Sequence, residues 1–175
     1  MAAGIAALAI DGVWWPQVPH GLDPLARPAP PRDARWQRGA AADALYLAES
    51  PETTWAEWYR WLAEYGVPPR AALPRDLWRI EIALEGVADL RSAVTLASLG
   101  LSAPLPGRND WPAFQAVGER LAATGLAALL APSAARTGGE VLCIFWPPQP
   151  PSRVRAVGSP ETLREPPAPP RGLRT

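Results

Sequence analysis

The sequence contains no lysine, only one cysteine and one histidine, and no long apolar run. With Cys143 alone, neither an internal disulfide nor a cysteine-rich metal site can form. Cys143 stands in the apolar run VLCIFW, which favours a buried side chain over a nucleophile. A lone His20 among prolines cannot build a metal cluster, so no metal is expected. No stretch approaches the roughly 18 apolar residues of a membrane span. We therefore expect a soluble cytoplasmic protein without membrane contact.

The charges of the chain balance. All 17 basic residues are arginine, and 17 acidic residues bring the net charge to zero. This balance argues against direct binding of nucleic acid or of an anionic membrane. The glycine-rich dinucleotide and phosphate loops and the metalloprotease motif are not in the sequence. The presence of only one histidine argues against a Ser-His-Asp triad. His20 with Ser133 is the one combination left for such a triad. The RTGGE segment at 136–140 fits a hairpin turn better than a phosphate cradle.

The 175 residues predict one domain between two proline-rich flanks. Residues 1–31 read as an irregular N-terminal arm with room for a first strand. Residues 32–146 are predicted to form the folded domain. Residues 147–175 read as a flexible tail, because their prolines interrupt every regular pattern.

Short strands and helices alternate in the folded domain. Ser50 offers an N-cap, Pro51 a fixed first helical position and Gly66 a stop, so a helix is predicted between them. The segment LWRIEIAL alternates with period two and predicts a half-buried strand. Further strands are predicted for ALYLA, LAALLAP and EVLCIFW, and further helices for SAVTLASL and from Asp110 to Gly125. This order predicts an α+β fold with a small mixed sheet and short helices.

Three side chains on consecutive predicted elements carry candidate chemistry: Arg35, Tyr46 and Glu57. Taken singly they fit a surface charge, a core aromatic and a solvated helix face, and the helical wheel favours the last for Glu57. Together they offer a guanidinium for a pyrophosphate, an aromatic ring for a planar cation and a carboxylate for positive charge on an anomeric carbon. Such a set suits cleavage of an N-glycosidic bond through an oxocarbenium-like state.

The order of motifs resembles the RES-domain family, the toxins of RES–Xre toxin–antitoxin pairs. The resemblance runs from about Arg32 to Phe145. It is carried by RW at 35–36, ALYLAESPETTWAE at 44–57, WRIEI followed by VADL, Gln115 with Gly118, APSA around Ser133, and EVLCIF.

The resemblance implies an ADP-ribosyltransferase-like fold and an enzyme that consumes NAD by hydrolysis or phosphorolysis of the nicotinamide–ribose bond. It implies that Arg35 binds NAD, that Tyr46 lies near nicotinamide and that Glu57 supports the transition state. Ser133 and Gln37 would help to hold the ligand. An Xre-like antitoxin is the implied protein partner, within a larger hetero-oligomer.

The chain departs from the usual Gly-Arg-Trp-Asn motif of the family at Ala34 and Gln37. Gln37 keeps the amide but moves it by one methylene group, which would weaken ligand positioning. The basic residue that often follows the helix glutamate is here Arg60. These departures leave two alternatives open: mono-ADP-ribosylation of a protein target, and a non-catalytic RES-like module that serves as a docking surface.

Overall fold

The computed structural model describes residues 5–147 and 152–175, and it confirms an α+β fold with a mixed sheet and few short helices. The strands are β1 (Ala7–Trp14), β2 (Gln17–Pro19), β3 (Asp43–Ala48), β4 (Arg75–Asp89), β5 (Ala128–Pro132), β6 (Glu140–Trp146) and β7 (Arg153–Leu163). The helices are α1 (Pro51–Tyr65), α2 (Ala93–Ser98) and α3 (Trp111–Ala123), with a 3₁₀ turn at Pro69–Ala72.

The long strand β4 organises the sheet, whose order is β1-β4-β5-β6-β3. One edge of β4 pairs with β1 and β2. Its other edge pairs with β7 over residues 75–83 and with β5 over residues 87–89. The β4–β5 pair is parallel, and the other pairs are antiparallel. A parallel pair needs a crossover, which α2 and α3 supply.

The two ends of the strand order meet through Trp15 and Ala48. The backbone N–H of each residue donates to the carbonyl oxygen of the other, across 2.9 and 3.0 Å. The Thr54 hydroxyl of α1 also donates to the Trp15 carbonyl across 2.8 Å. The sheet therefore curls back on itself, and the start of α1 is fixed at the point of closure.

Helix α1 begins and ends where its local signals predict. The Ser50 hydroxyl accepts from the Thr53 N–H, Pro51 is the first helical residue, and Gly66 follows the last turn. Trp55, Trp58, Tyr59 and Leu62 pack on the sheet side, as their spacing predicts. Tyr65, predicted on the same face, is instead 52% exposed. It lies at the border of the apolar arc, in the last turn.

The core has two main layers, one on each face of the sheet. On one face, β3, β5 and β6 pack against α2 and α3. On the other, Leu45 and Leu47 of β3 join the apolar side chains of β1 and β4. Tyr46 points away from its two neighbours and packs on the α3 layer. The side chains of β3 thus alternate between the two faces of the sheet.

The prediction of a flexible tail over residues 147–175 is wrong for β7. Residues 153–163 pair with β4, although Gly158 and Pro160 interrupt the pattern. Since β7 pairs only with β4 among the described strands, it is an edge strand, and proline is tolerated in edge strands. Residues 158–160 bulge opposite Trp78, and Gly158 takes a φ of +69° there. No side chain of β7 is fully buried, so its sequence needs no apolar alternation and periodicity does not reveal the strand.

The N-terminal arm contains the expected first strand, β1, and also β2, and both join the sheet. Residues 1–4 of the first predicted flank and residues 148–151 of the second lie outside the described residues. No helix in the described part of the chain combines the length and the apolar character that a membrane span needs.

Candidate functional site

A cleft of about 610 Å³ lies along one side of α1. Its other walls are the segment 32–36, the strand β3, the start of α3 and the turn after β5. Arg35, Tyr46 and Glu57 all line it, so the structure brings these three predicted residues together. Ser133 and Gln37 are not among the lining residues.

Arg35 is a buried cation on the cleft wall, 8% exposed. Its Nη1 donates to Asp110 Oδ1 across 2.6 Å, and its Nη2 donates to the carbonyl oxygens of Leu105 and Gly107. The guanidinium also lies 5.1 Å from the centre of the Phe114 ring. Burial lowers the pKa of Arg35, and the Asp110 carboxylate partly offsets this effect. The side chain thus links the cleft to the loop before α3.

Tyr46 contributes an aromatic wall that is chemically inert. Its hydroxyl accepts from the Trp36 N–H across 3.1 Å, which ties β3 to the segment that carries Arg35. Burial raises the pKa of Tyr46 well above its ordinary value. Burial also raises the pKa of the neighbouring Cys143 thiol to about 12. Both groups therefore stay protonated at neutral pH, and Cys143 is a buried core residue as predicted.

Glu57 is part of an ion-pair series along α1, and it faces the cleft instead of bulk solvent. Arg60 Nε donates to Glu57 Oε2 across 2.9 Å, and Arg60 Nη1 donates to Glu64 Oε1. Burial lowers the pKa of Arg60, but the two carboxylates outweigh burial and raise it. Spacings of three and four residues place these charges on one helix face.

Ser133 lies behind Glu57 instead of facing the cleft. Its side chain is fully buried, and its hydroxyl donates to Glu57 Oε1 across 2.6 Å. The same oxygen accepts from the N–H groups of Ala135 and Arg136 at 3.0 and 3.1 Å. Because the serine contacts the carboxylate directly, it can hold the Glu57 side chain in one orientation. The sequence gives no local sign of this contact.

Gln37 is 2% exposed and does not reach the cleft. Its Nε2 donates to the Arg32 carbonyl oxygen across 2.9 Å. The backbone carbonyl oxygen of Gln37 accepts from Gln115 Nε2 at 3.3 Å. The amide that resembles the family asparagine thus braces the turn that carries Arg35.

Sequence reasoning did not assign the aromatic residues at the mouth of the cleft to the candidate site. Trp61 and Tyr65 continue the Glu57–Arg60 face of α1, and Trp111 starts α3. Arg108 stands between them, with its guanidinium carbon 4.4 Å from the Tyr65 ring centre and 4.9 Å from that of Trp111. Spacing of four and eight residues from Glu57 was the available signal for Trp61 and Tyr65.

The segment after β7 braces the Ser133 turn from outside. Arg174 donates from its backbone N–H to the Ala135 carbonyl and from its guanidinium to the Ser133 carbonyl. The Thr137 N–H donates to the Gly172 carbonyl across 2.9 Å. The Tyr59 hydroxyl of α1 donates to the Pro167 carbonyl. Residues predicted to be flexible therefore hold both elements that carry Glu57 and Ser133.

In the comparison with protein families, residues 13–165 match the family described as the RES domain. The chain belongs to the RES-domain family. The RES match begins in β1 and ends just after β7, so the domain extends beyond the predicted 32–146 on both sides.

A solved structure with a similar fold is that of the M. tuberculosis MbcT–MbcA toxin–antitoxin complex. The TM-score is 0.75 at 22% sequence identity, and the match covers 90% of this chain and 86% of that chain. At this identity the likeness establishes the fold of the RES domain. No curated protein matches the chain by sequence.

Proposed function

We propose that this chain is a RES toxin that consumes NAD by cleaving the bond between nicotinamide and ribose. The observation that carries the proposal is the fixed carboxylate of Glu57. One of its oxygens accepts from Ser133 and the other from Arg60. Arg35 and Tyr46 line the same cleft. A carboxylate held in this way is suited to stabilise positive charge that develops in a transition state.

The proposed reaction breaks the bond between C1′ of the ribose and the pyridinium nitrogen. The bonding electrons leave with nicotinamide, whose ring thereby becomes neutral, and positive charge develops on the ribose. Glu57 stabilises that charge. The oxygen of water or phosphate then bonds to C1′, and water loses a proton in doing so. Nicotinamide needs no protonation to leave, so a cleft without histidine among its lining residues is compatible with this reaction.

Arg35 is the proposed ligand for the pyrophosphate of NAD. Its guanidinium has five N–H donors. Three hydrogen bonds go to Asp110 and the carbonyls of Leu105 and Gly107, and no partner for Nε is found among the described residues. Four arginines line the cleft, and the three carboxylates that line it together with the Asp110 carboxylate bound to Arg35 balance their charge. The Nε–H of Arg35 is therefore the donor proposed for the anionic pyrophosphate.

A protein antitoxin, Xre-like by resemblance, is the proposed partner. The structure with the similar fold is a toxin–antitoxin complex, which supports a partner of that kind for this chain. We place the pair in the cytoplasm, where NAD is available to the toxin.

The direct test is release of nicotinamide from NAD by the purified protein. We expect release by the wild type and a loss of about 100-fold or more in kcat for Glu57→Gln, as for removal of an electrostatic stabiliser. The amide keeps an oxygen for Ser133 but presents an N–H₂ group to Arg60. Its melting temperature should therefore fall only modestly.

Glu52→Gln is the matched control, because Glu52 is exposed in the first turn of the same helix. This variant should retain wild-type turnover. Absence of turnover in the wild type, together with no thermal shift in the presence of NAD, would contradict the proposal and favour the non-catalytic module. Radiolabelled NAD distinguishes the acceptors: label on a protein would indicate mono-ADP-ribosylation, and free ADP-ribose would indicate hydrolysis.

A further inference from the structure

One face of α1 runs along the cleft from the catalytic end to the mouth. Glu57, Arg60, Trp61, Glu64 and Tyr65 are spaced by three or four residues and all line the cleft. With a rise of about 1.5 Å per residue, Tyr65 lies about 12 Å along the helix axis from Glu57. The face changes in character on the way, from a carboxylate through ion pairs to two aromatic rings. The cleft thus has two ends of different chemistry.

The outer end is an aromatic rim, which we define as Trp61, Tyr65, Arg108 and Trp111. The rings of Trp61 and Tyr65 are 5.1 Å apart between centres and tilted by 39°. Trp61 is 38% and Tyr65 52% exposed. Arg108 contacts the rings of both Tyr65 and Trp111. Large aromatic side chains left open beside a planar cation are suited to stack on a nucleobase.

Two polar groups of the aromatic rim have capacity for a ligand. The indole N–H of Trp111 is buried and has no hydrogen-bond partner within residues 5–147 and 152–175. Such a donor is costly to leave unpaired. The Arg108 side chain is 46% exposed, and its Nε is 3.8 Å from a Glu64 oxygen, beyond hydrogen-bond distance. A purine offers ring nitrogens as acceptors, and a nucleotide offers phosphate oxygens.

We propose that the aromatic rim binds the adenosine end of NAD. Adenine stacks on the open rings of Trp61 and Tyr65, the Trp111 N–H meets a purine nitrogen, and Arg108 meets the adjacent phosphate. The assignment rests on the proposed function, because it follows from nicotinamide lying at the Glu57 end. The cleft thereby binds a complete dinucleotide. Nicotinamide mononucleotide, which lacks the adenosine end, would bind weakly.

The test compares NAD with nicotinamide mononucleotide, which has the same scissile bond but lacks the adenosine half. Trp61→Ala and Arg108→Ala should each raise KM for NAD by about tenfold, the effect of losing one stacking contact or one charged contact. Neither should alter KM for the mononucleotide. Val94→Ala is the control, since Val94 is an exposed apolar side chain on α2 that does not line the cleft. It should change neither constant.

A binding measurement separates this inference from the proposed function. AMP should bind the wild type and lose about tenfold in affinity in Trp61→Ala, as titration calorimetry or saturation-transfer NMR would record. This result supports the aromatic rim even where no nicotinamide is released. Unchanged KM for NAD in both rim variants, equal changes for both substrates, or AMP affinity that is the same in Trp61→Ala would overturn the inference.

Discussion

Ser133 donates its hydroxyl hydrogen to Oε1 of Glu57 across 2.6 Å, although 76 positions separate the two residues. Two backbone N–H groups donate to the same serine oxygen. They occupy its acceptor sites, so the single hydroxyl hydrogen is directed at the carboxylate. The orientation of Glu57 is therefore set by the turn after β5 as well as by its own helix.

Ser133→Ala should lower kcat more than it changes KM. The variant removes the hydrogen bond to Glu57 Oε1, so the carboxylate group can rotate. The residues that line the cleft are unchanged. We expect a loss of about tenfold in kcat, the effect of one hydrogen bond of about 1.5 kcal/mol to a charged group. Steady-state kinetics of nicotinamide release would measure both constants.

Two checks accompany Ser133→Ala. The backbone donors of Ala135 and Arg136 lose an acceptor, so a stability loss of about 1–3 kcal/mol is expected as well. Kinetics should therefore be recorded well below the melting temperature. Ser98→Ala, at the exposed end of α2, serves as the control. An increase in KM at unchanged kcat would indicate instead that Ser133 contacts the ligand.

Arg35→Lys and Asp110→Asn separate two functions of Arg35. Lysine lacks the fork of the guanidinium, so KM for NAD should rise by about tenfold or more. Asp110→Asn keeps the guanidinium and weakens only its link to α3. We expect it to change KM by less than about threefold while lowering the melting temperature slightly. Equal KM values for the two variants would mean that Arg35 acts only by holding the loop.

Asp76 should make stability depend on pH at acid values. Burial would raise the pKa of Asp76, but hydrogen bonds from Thr162, Gly21 and His20 outweigh burial and lower it to about 2, from an ordinary 3.8. A lowered pKa in the folded state means that the stabilisation is present above about pH 4 and is lost as pH falls toward 2.

The corresponding variant is Asp76→Asn. It should destabilise the fold by about 2 kcal/mol near neutral pH, because one acceptor oxygen becomes an N–H₂ group that faces a donor. Urea unfolding at pH 7 and pH 3 would measure the difference, which should shrink at the lower pH. Asp23→Asn, at an exposed position, is the control. A difference that is the same at both pH values would contradict the assignment.

Gly118 allows α3 to approach the segment that carries Arg35. A Cβ at this position would lie 2.0 Å from the Trp36 carbonyl oxygen, so α3 or the backbone at Trp36 would have to move. Gly118→Ala should cost about 3 kcal/mol in unfolding free energy. Ala116→Leu adds more bulk on the exposed side of the same helix and should cost less than about 0.5 kcal/mol. Thermal denaturation would compare them.

Local signals in the sequence predicted most of the elements. The start of α1 is set by the Ser50 cap and the proline after it, and its end is set by Gly66. Each signal lies next to the helix end that it determines. Alternation identified β4, because its central residues are buried mainly on one face. A short apolar run identified β3, which is buried on both faces. The strand β7 lacked such a signal, since its side chains are partly or fully exposed and its pairing is through the backbone.

The candidate site was predictable only in part. Arg35, Tyr46 and Glu57 were identified as a set, and the structure places all three on one cleft. The contact of Ser133 with Glu57 and the turn of Gln37 toward Arg32 depend on tertiary packing and on side-chain rotamers. Neither leaves a pattern in the order of the residues. The catalytic roles stay predictions until turnover is measured.

The edge of β4 that pairs with both β7 and β5 has a consequence for how this protein folds. Its strand partners come from far before and far after it in the chain, and such non-local pairing predicts slow folding. Until β7 docks, the 75–83 edge of β4 stays open to strands of other molecules. Chains that stop before residue 153 should therefore aggregate during refolding, even though α1 carries all its own signals.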